Sequence, residues 1–265
     1  MAITTMDQLL AGLSGEQRQN ILKVSQTAEG AGTFHSLWKA AGFPTAGITP
    51  ATTGAGEFPT NATLGAIPLV NAGGANTKYL GRVNMQSPTA GSLIIYDRVW
   101  QNSGLVGNVI TTQNINSSTP TRYSDGMGLE IFGEVYTVMG ATGSVLSVVY
   151  TDYNGATMTG TYTHPANALT VGQMFQINPP INAVGARAIT SATFSISTGT
   201  AGNFGLVLAR RIAEIPLAFP NVITPMDAFA LGLPELKPNA CLAMMVACTT
   251  TSTGNITGAV DLIEG

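Results

Sequence analysis

From about residue 79 onward, apolar side chains recur at every second position, the spacing of strands with one buried face. Leu93-Ile94-Ile95-Tyr96 leads into Val99-Trp100. Over 129–136, Leu129, Ile131 and Val135 share one face, and Glu130, Phe132, Glu134 and Tyr136 the other. Val145 to Tyr150 is rich in β-branched residues, which favour strands. Asp152-Tyr153-Asn154-Gly155 follows, and Asn-Gly is a strong hairpin signal. Residues 188–197 alternate with one parity break, 198–203 read as a turn, and Phe204 to Leu208 return. Residues 240–250 and 256–263 repeat the design around Ser252-Thr253-Gly254-Asn255. Short strands joined by Gly/Asn turns, with no helix–strand alternation, predict a mainly β fold: an antiparallel β-sandwich or jelly roll over 79–265. One late helix is expected, with Thr224 as cap, Pro225 as its first residue, Asp227 in its first turn and an end before Pro234.

The first forty residues read differently. Thr5 and Gln8 form a capping box ahead of Met6, Leu9, Leu10 and Leu13, a helical stripe. Ser14 and Gln17 repeat the device before Ile21, Leu22 and Val24, and Phe34 to Ala41 carries Leu37 and Trp38. Short N-terminal helices are therefore expected over 1–41. Each is below the ~12–15 residues at which an isolated helix becomes marginal, so each must dock on something. Residues 42–78 carry Pro44, Pro50, Pro59 and Pro68 among many glycines, which predicts a long extended Pro/Gly-rich arm along a surface.

Charge changes the picture. Only 9% of the 265 residues are charged, against ~25% in ordinary soluble domains. A surface of Thr, Ser, Asn, Gly and Ala can be laid against another protein without stripping water from many ions. The composition thus points to a building block of an assembly. The net charge of −3 and the scattered basic residues, with Arg210-Arg211 the only adjacent pair, argue against a nucleic-acid partner. No apolar run reaches the ~18 residues of a spanning helix, and no secretory signal is expected at the start, so no membrane partner is expected.

Searches for chemistry return little. There is no G-x-S-x-G, H-E-x-x-H, Walker loop or C-x-x-C. Cys241 and Cys248 fall seven apart in one strand, on opposite faces and about 23 Å apart, too far for a mutual disulfide. His35 and His164 are too few for a zinc site. Glu130 and Glu134 lie about 13 Å apart along a strand, beyond the reach of a glycosidase pair. Asp125, Asp152 and Asp227 could join them only through the fold. Asp97-Arg98 reads as an ion pair at a strand end. No catalytic residue, metal or cofactor is expected.

Three strings carry a resemblance. They are Leu93 to Trp100 running into Ser103-Gly104-Leu105, Val148 to Gly155, and Gly199 to Leu208. Together, over about residues 79–215, they resemble structural proteins of tailed-bacteriophage virions, and within that group a jelly-roll capsid decoration (cement) protein. The long spine helix and charged extended loop of a principal shell subunit are not apparent. The resemblance implies a non-enzymatic protein of the virion's capsid surface, made in the host cytoplasm. It also implies a trimer whose partners are copies of itself and the major capsid or other virion proteins. Trp38, Phe43, Phe58 and Tyr79 are the interface contacts expected of its N-terminal part, since aromatics dominate interface energetics. Two other readings compete. One is a tail or fibre component for host attachment or glycan binding, using Tyr, Trp and Asn near 100–125. The other is a hydrolase on a jelly roll.

Overall fold

The computed structural model describes residues 2–25, 28–50 and 54–265. In chain order the elements are α1 (Met6–Ser14), β1 (Gln17–Lys23), β2 (Phe34–Ser36), β3 (Gly42–Phe43), β4 (Lys78–Gln86) and β5 (Gly91–Gln101). Next come β6 (Gln113–Asn114), β7 (Leu129–Thr137), β8 (Ser144–Thr151), β9 (Thr157–His164), β10 (Gln173–Gln176) and β11 (Ala188–Phe194). The chain ends with β12 (Asn203–Leu217), β13 (Thr224–Met226), α2 (Ala228–Leu231), β14 (Glu235–Leu236), β15 (Leu242–Cys248) and β16 (Ile256–Glu264).

The strands are antiparallel and form layers, the sandwich-like arrangement that the alternation predicts. The middle layer closes on itself as a barrel in the order β10-β2-β15-β5-β12-β7. One flank is a sheet in the order β13-β4-β16-β1-β3, with β14 also on β4; the other is β6-β11-β8-β9. Strand parity assigns the faces. On β5, Leu93 and Ile95 pack with Val83 and Val260 of the first flank, whereas Ile94 and Tyr96 point into the barrel. On β7, Leu129, Ile131 and Val135 meet Leu146, Val148 and Phe194 of the second flank, and Phe132 points inward. The long strand β12 serves both: Phe204, Leu206 and Leu208 face the second flank, and Ala213, Ile215 and Leu217 the first. Register shifts near Ala209 and between Arg211 and Ala213 re-aim it on the way.

The expected N-terminal helices hold only for α1, whose capping box is complete: Thr5 Oγ1 accepts from Gln8 N and Gln8 Oε1 from Thr5 N. Leu9 of α1 docks on Tyr79 and Ile263. The second expected helix is instead the strand β1, paired with β16 along its whole length. The third contributes β2, which bridges β10 and β15 and so completes the barrel. Ile21, Leu22 and Val24 are too few to separate a helical stripe from a strand, and pairing with β16 decides the outcome. The late helix is one turn long and capped by Asp227, not Thr224, because Thr224–Met226 is taken up by pairing with β4.

The arm lies against its own chain. Two tryptophans hold it. Trp38 Nε1 donates to Ile48 O at 3.1 Å, and Trp100 Nε1 to Ala55 O at 2.9 Å. The backbone passes so close to the indoles that a Cβ on Gly47 would sit 2.3 Å from Trp38, and one on Gly56 2.3 Å from Trp100. Further on, Ile67 N donates to Leu242 O, and Ile67 and Leu69 join the core. The glycines are thus what lets this irregular segment reach the body, and its Pro/Gly content does not mark an arm free to clamp a neighbour.

Gly47→Ala and Gly56→Ala should each destabilise the protein by about 1–3 kcal/mol through overpacking, measured by urea denaturation. An Ala at Gly74, where the added carbon meets nothing within 4 Å, controls for positive-φ strain alone. A second expectation concerns pH. The Glu264 carboxyl is held at about 2, below its usual 4.5, by the Asn76 amide, the Gly73 N–H and Lys78. A carboxyl so depressed binds fewer protons folded than unfolded. Its contribution is therefore complete above pH about 4.5 and fades as the pH falls toward about 2. Glu264→Gln should lower the melting temperature near neutral pH, and the gap from the parent should close across that acid range.

Candidate functional site

The most distinctive chemistry of the fold lies inside the barrel. Ile94, Tyr96, Phe132, Met174, Val207 and Met245, drawn from five of its strands, fill most of the interior with apolar atoms. At one end the same inward parity delivers two ions, Arg98 from β5 and Glu134 from β7. Both are buried, and Arg98 Nη2 lies 2.6 Å from Glu134 Oε2. Tyr136 bridges them, accepting from Arg98 Nη2 at 2.9 Å and donating to Glu134 Oε2 at 3.0 Å. Arg98 Nε donates to Gln101, whose amide donates to Glu57 of the arm. The Arg98 guanidinium also lies over the Trp38 ring, 4.7 Å from its centroid. Burial alone would lower the Arg98 pKa, but the Glu134 carboxylate overrides it and holds the guanidinium charged. Burial, then Glu134, pushes the Tyr136 phenol well above its usual range. This is a fixed, charge-compensated cluster.

Asp97, next in sequence to Arg98, faces the opposite way. Its carboxylate accepts from Arg122 Nε at 3.1 Å, Arg122 Nη2 at 3.0 Å and Cys241 N at 2.9 Å. Arg122 Nη2 also donates to Pro59 O of the arm at 2.9 Å. The expected Asp97–Arg98 pair is therefore replaced by two pairs, because adjacent residues of a strand point to opposite faces. On the first flank, buried Asp261 holds both Arg18 and Arg82, and Arg82 also reaches Glu16 at 2.7 Å. Lys23, whose ammonium burial pushes down to about 8, donates to Ala40 O.

The remaining candidates are dispersed. Glu130 stays at the barrel rim, 3.3 Å from Arg211, while Glu134 is inside. Asp152 Oδ1 accepts from Ala156 N across the β8–β9 turn, and Asp227 caps α2. Asp125 Oδ1 accepts from Met127 N in its own loop. His35 and His164 are both buried, and burial lowers the pKa of each. Cys241 and Cys248 are free and buried. No group of three or more metal-ligating side chains occurs among the described residues. No helix among them is long and apolar enough to cross a membrane.

The four expected contact residues divide. Trp38 and Tyr79 are core residues of this chain, taken up by Arg98 and the arm in one case and by α1 in the other. Phe43 and Phe58 remain on the surface, 43% and 39% exposed. Near 100–125, Trp100 and Asn102 are fully buried, whereas Asn108, Asn114 and Asn116 are exposed. The sequence reading missed the most exposed aromatics. Phe219 is 68% and Phe229 69% exposed, with Val222 and Ile223, both exposed, between them. These side chains flank β13, the edge strand of the first flank. The run Phe219-Pro220-Asn221-Val222-Ile223 before a strand containing Pro225 was the available signal, since Pro confines a strand to an edge.

No family model and no curated protein matches the chain. Among solved structures, it is similar to a family 11 carbohydrate-binding module of cellulosomal cellulase Lic26A-Cel5E of Clostridium thermocellum. That likeness has 11% identity over 60% of this chain and 95% of that one, with a TM-score of 0.19. A structure of infectious bursal disease virus, Gt strain, has 12% identity over 94% and 80%, TM-score 0.16. The VP2 subviral particle of that virus has 14% identity over 94% and 80%, TM-score 0.19. These neighbours are a viral capsid protein and a binding module; TM-scores of this size carry no argument about function.

The buried pair is open to test by denaturation. Arg98→Met leaves Glu134 charged and unpaired, and should cost roughly 3–5 kcal/mol. The double change Arg98→Met with Glu134→Leu should recover most of that loss.

Proposed function

We propose that this chain is a non-enzymatic structural protein of a tailed-phage virion, a decoration subunit that binds copies of itself and neighbouring capsid proteins. The observation that carries the reading is the set of exposed apolar side chains Phe219, Val222, Ile223 and Phe229 on either side of the β13 edge strand in sequence. Two phenylalanines more than two-thirds exposed, in one stretch with two exposed β-branched residues, are a cost to an isolated protein and an asset to an interface. The scarcity of charge supports the same reading. With 9% charged residues, several of them spent on buried pairs, the surface asks for little ion desolvation when it is covered. The resemblance of the strings between 79 and 215 supplies the virion context.

The double variant Phe219→Ser/Phe229→Ser should melt within a few degrees of the parent, because neither ring is buried. It should lose self-association in sedimentation velocity and binding to undecorated capsids. Two hot-spot aromatics predict a loss of at least about 100-fold in affinity. A parent chain that stays monomeric at high concentration and ignores capsids would sink the proposal.

A further inference from the structure

Between the barrel and the second flank lies a cavity of about 170 Å³ that opens to solvent. Its apolar lining includes Leu129 and Ile131 of β7 and Ile177, which continues β10. Tyr150 of β8 also lines it. That side chain is buried, and its hydroxyl has no hydrogen-bond partner among the described residues. Glu130 and Gln176 also border it, but their side chains, joined by a 3.3 Å hydrogen bond from the Gln176 amide to Glu130 Oε2, lie on the opposite face of their strands from Leu129, Ile131 and Ile177. Arg211 Nη2 reaches that same oxygen at 3.3 Å, so the carboxylate already has its counter-charge.

Size and chemistry together define what fits. Apolar cavities of ~150 Å³ hold a single six-membered ring. A largely apolar recess with few polar groups is the usual form of a small-molecule site. A charged ligand would lose its water and find no free counter-ion. A hydroxyl, by contrast, can exchange a hydrogen bond with the otherwise unpartnered Tyr150 hydroxyl. We infer that this cavity is a binding site for a compact, uncharged ring carrying one hydroxyl, a phenol or an alicyclic alcohol. The inference stands on different residues from the exposed apolar set around β13, so either reading can fail alone.

The test is a methyl-NMR titration of the full chain with p-cresol and with toluene, the same ring without its hydroxyl. Both probes should shift the methyl signals of Leu129, Ile131 and Ile177, and p-cresol should bind about tenfold more tightly. Tyr150→Phe should reduce that preference while leaving toluene binding unchanged, and Glu130→Gln, on the opposite strand face, should change neither. Neither change alters the shape of the recess, and an unchanged methyl spectrum of the free variants verifies their folding. Methyl signals that stay still under both probes would overturn the inference. So would a p-cresol preference that survives Tyr150→Phe.

Discussion

The strand register of the fold turns on an ion pair buried inside the barrel. Arg98 and Glu134 meet at 2.6 Å inside a barrel otherwise filled by Ile, Tyr, Phe, Val and Met. In such surroundings either ion alone is expensive, and the two are tolerable through their close mutual geometry, even though Arg98 Nη1 and Glu134 Oε1 have no hydrogen-bond partner among the described residues. Tyr136, Gln101 and the Trp38 ring supply that geometry. The pair therefore bears on register more than on net stability. β5 and β7 do not pair with each other; β12 lies between them, and only one register of each against β12 brings the two charges together. A one-residue slip of either strand would turn its ion outward and an apolar neighbour inward.

From that centre the constraint passes outward to the irregular segment. Trp38 touches Arg98 on the barrel side and receives the arm at Gly47 and Ile48. Gln101 continues the chain of hydrogen bonds to Glu57, and Arg122 ties Asp97 to Pro59. The arm carries almost no regular structure, yet its backbone is bonded to side chains that the barrel has already fixed. This explains how the described residues of 44–50 and 54–77, rich in Pro and Gly, are held without a sheet or helix of their own. It also explains where the few charges go: an appreciable part of them organise the interior, which leaves the outside poorer in ions than the composition suggests.

Much of the β architecture was legible because alternation is a local property. The faces of β7 follow from Leu129-Glu130-Ile131-Phe132, and the β8–β9 hairpin from Asn154-Gly155. What failed was non-local. Residues 17–23 carry too weak a pattern to announce a strand, and β16, more than 230 positions away, makes them one. Asp97 and Arg98 read as a pair because they are adjacent, whereas their partners Arg122 and Glu134 lie 25 and 36 residues downstream. Trp38 and Tyr79 look like contact residues in any aromatic census. Only the docking of the arm and α1 shows that each is already spent. Exposure of Phe219 and Phe229 was invisible for the converse reason, since it depends on β13 being the last strand on its side of the sheet.

These assignments move the proposed bridging role to a different part of the molecule. An arm whose carbonyls accept from Trp38, Trp100 and Arg122, and whose Ile67 and Leu69 sit in the core, has little left to offer a neighbour. Removing the first sixty residues would delete β1 and β2 and open the barrel, so a loss of assembly after that deletion would report unfolding. Side chains that the fold leaves uncommitted are the ones free to make contacts between subunits. By that criterion the surface at Phe219 and Phe229 is favoured over the N-terminal segment. It lies at a sheet edge, away from the ion-paired centre, where a bound neighbour would cover apolar surface without disturbing the Arg98–Glu134 pair.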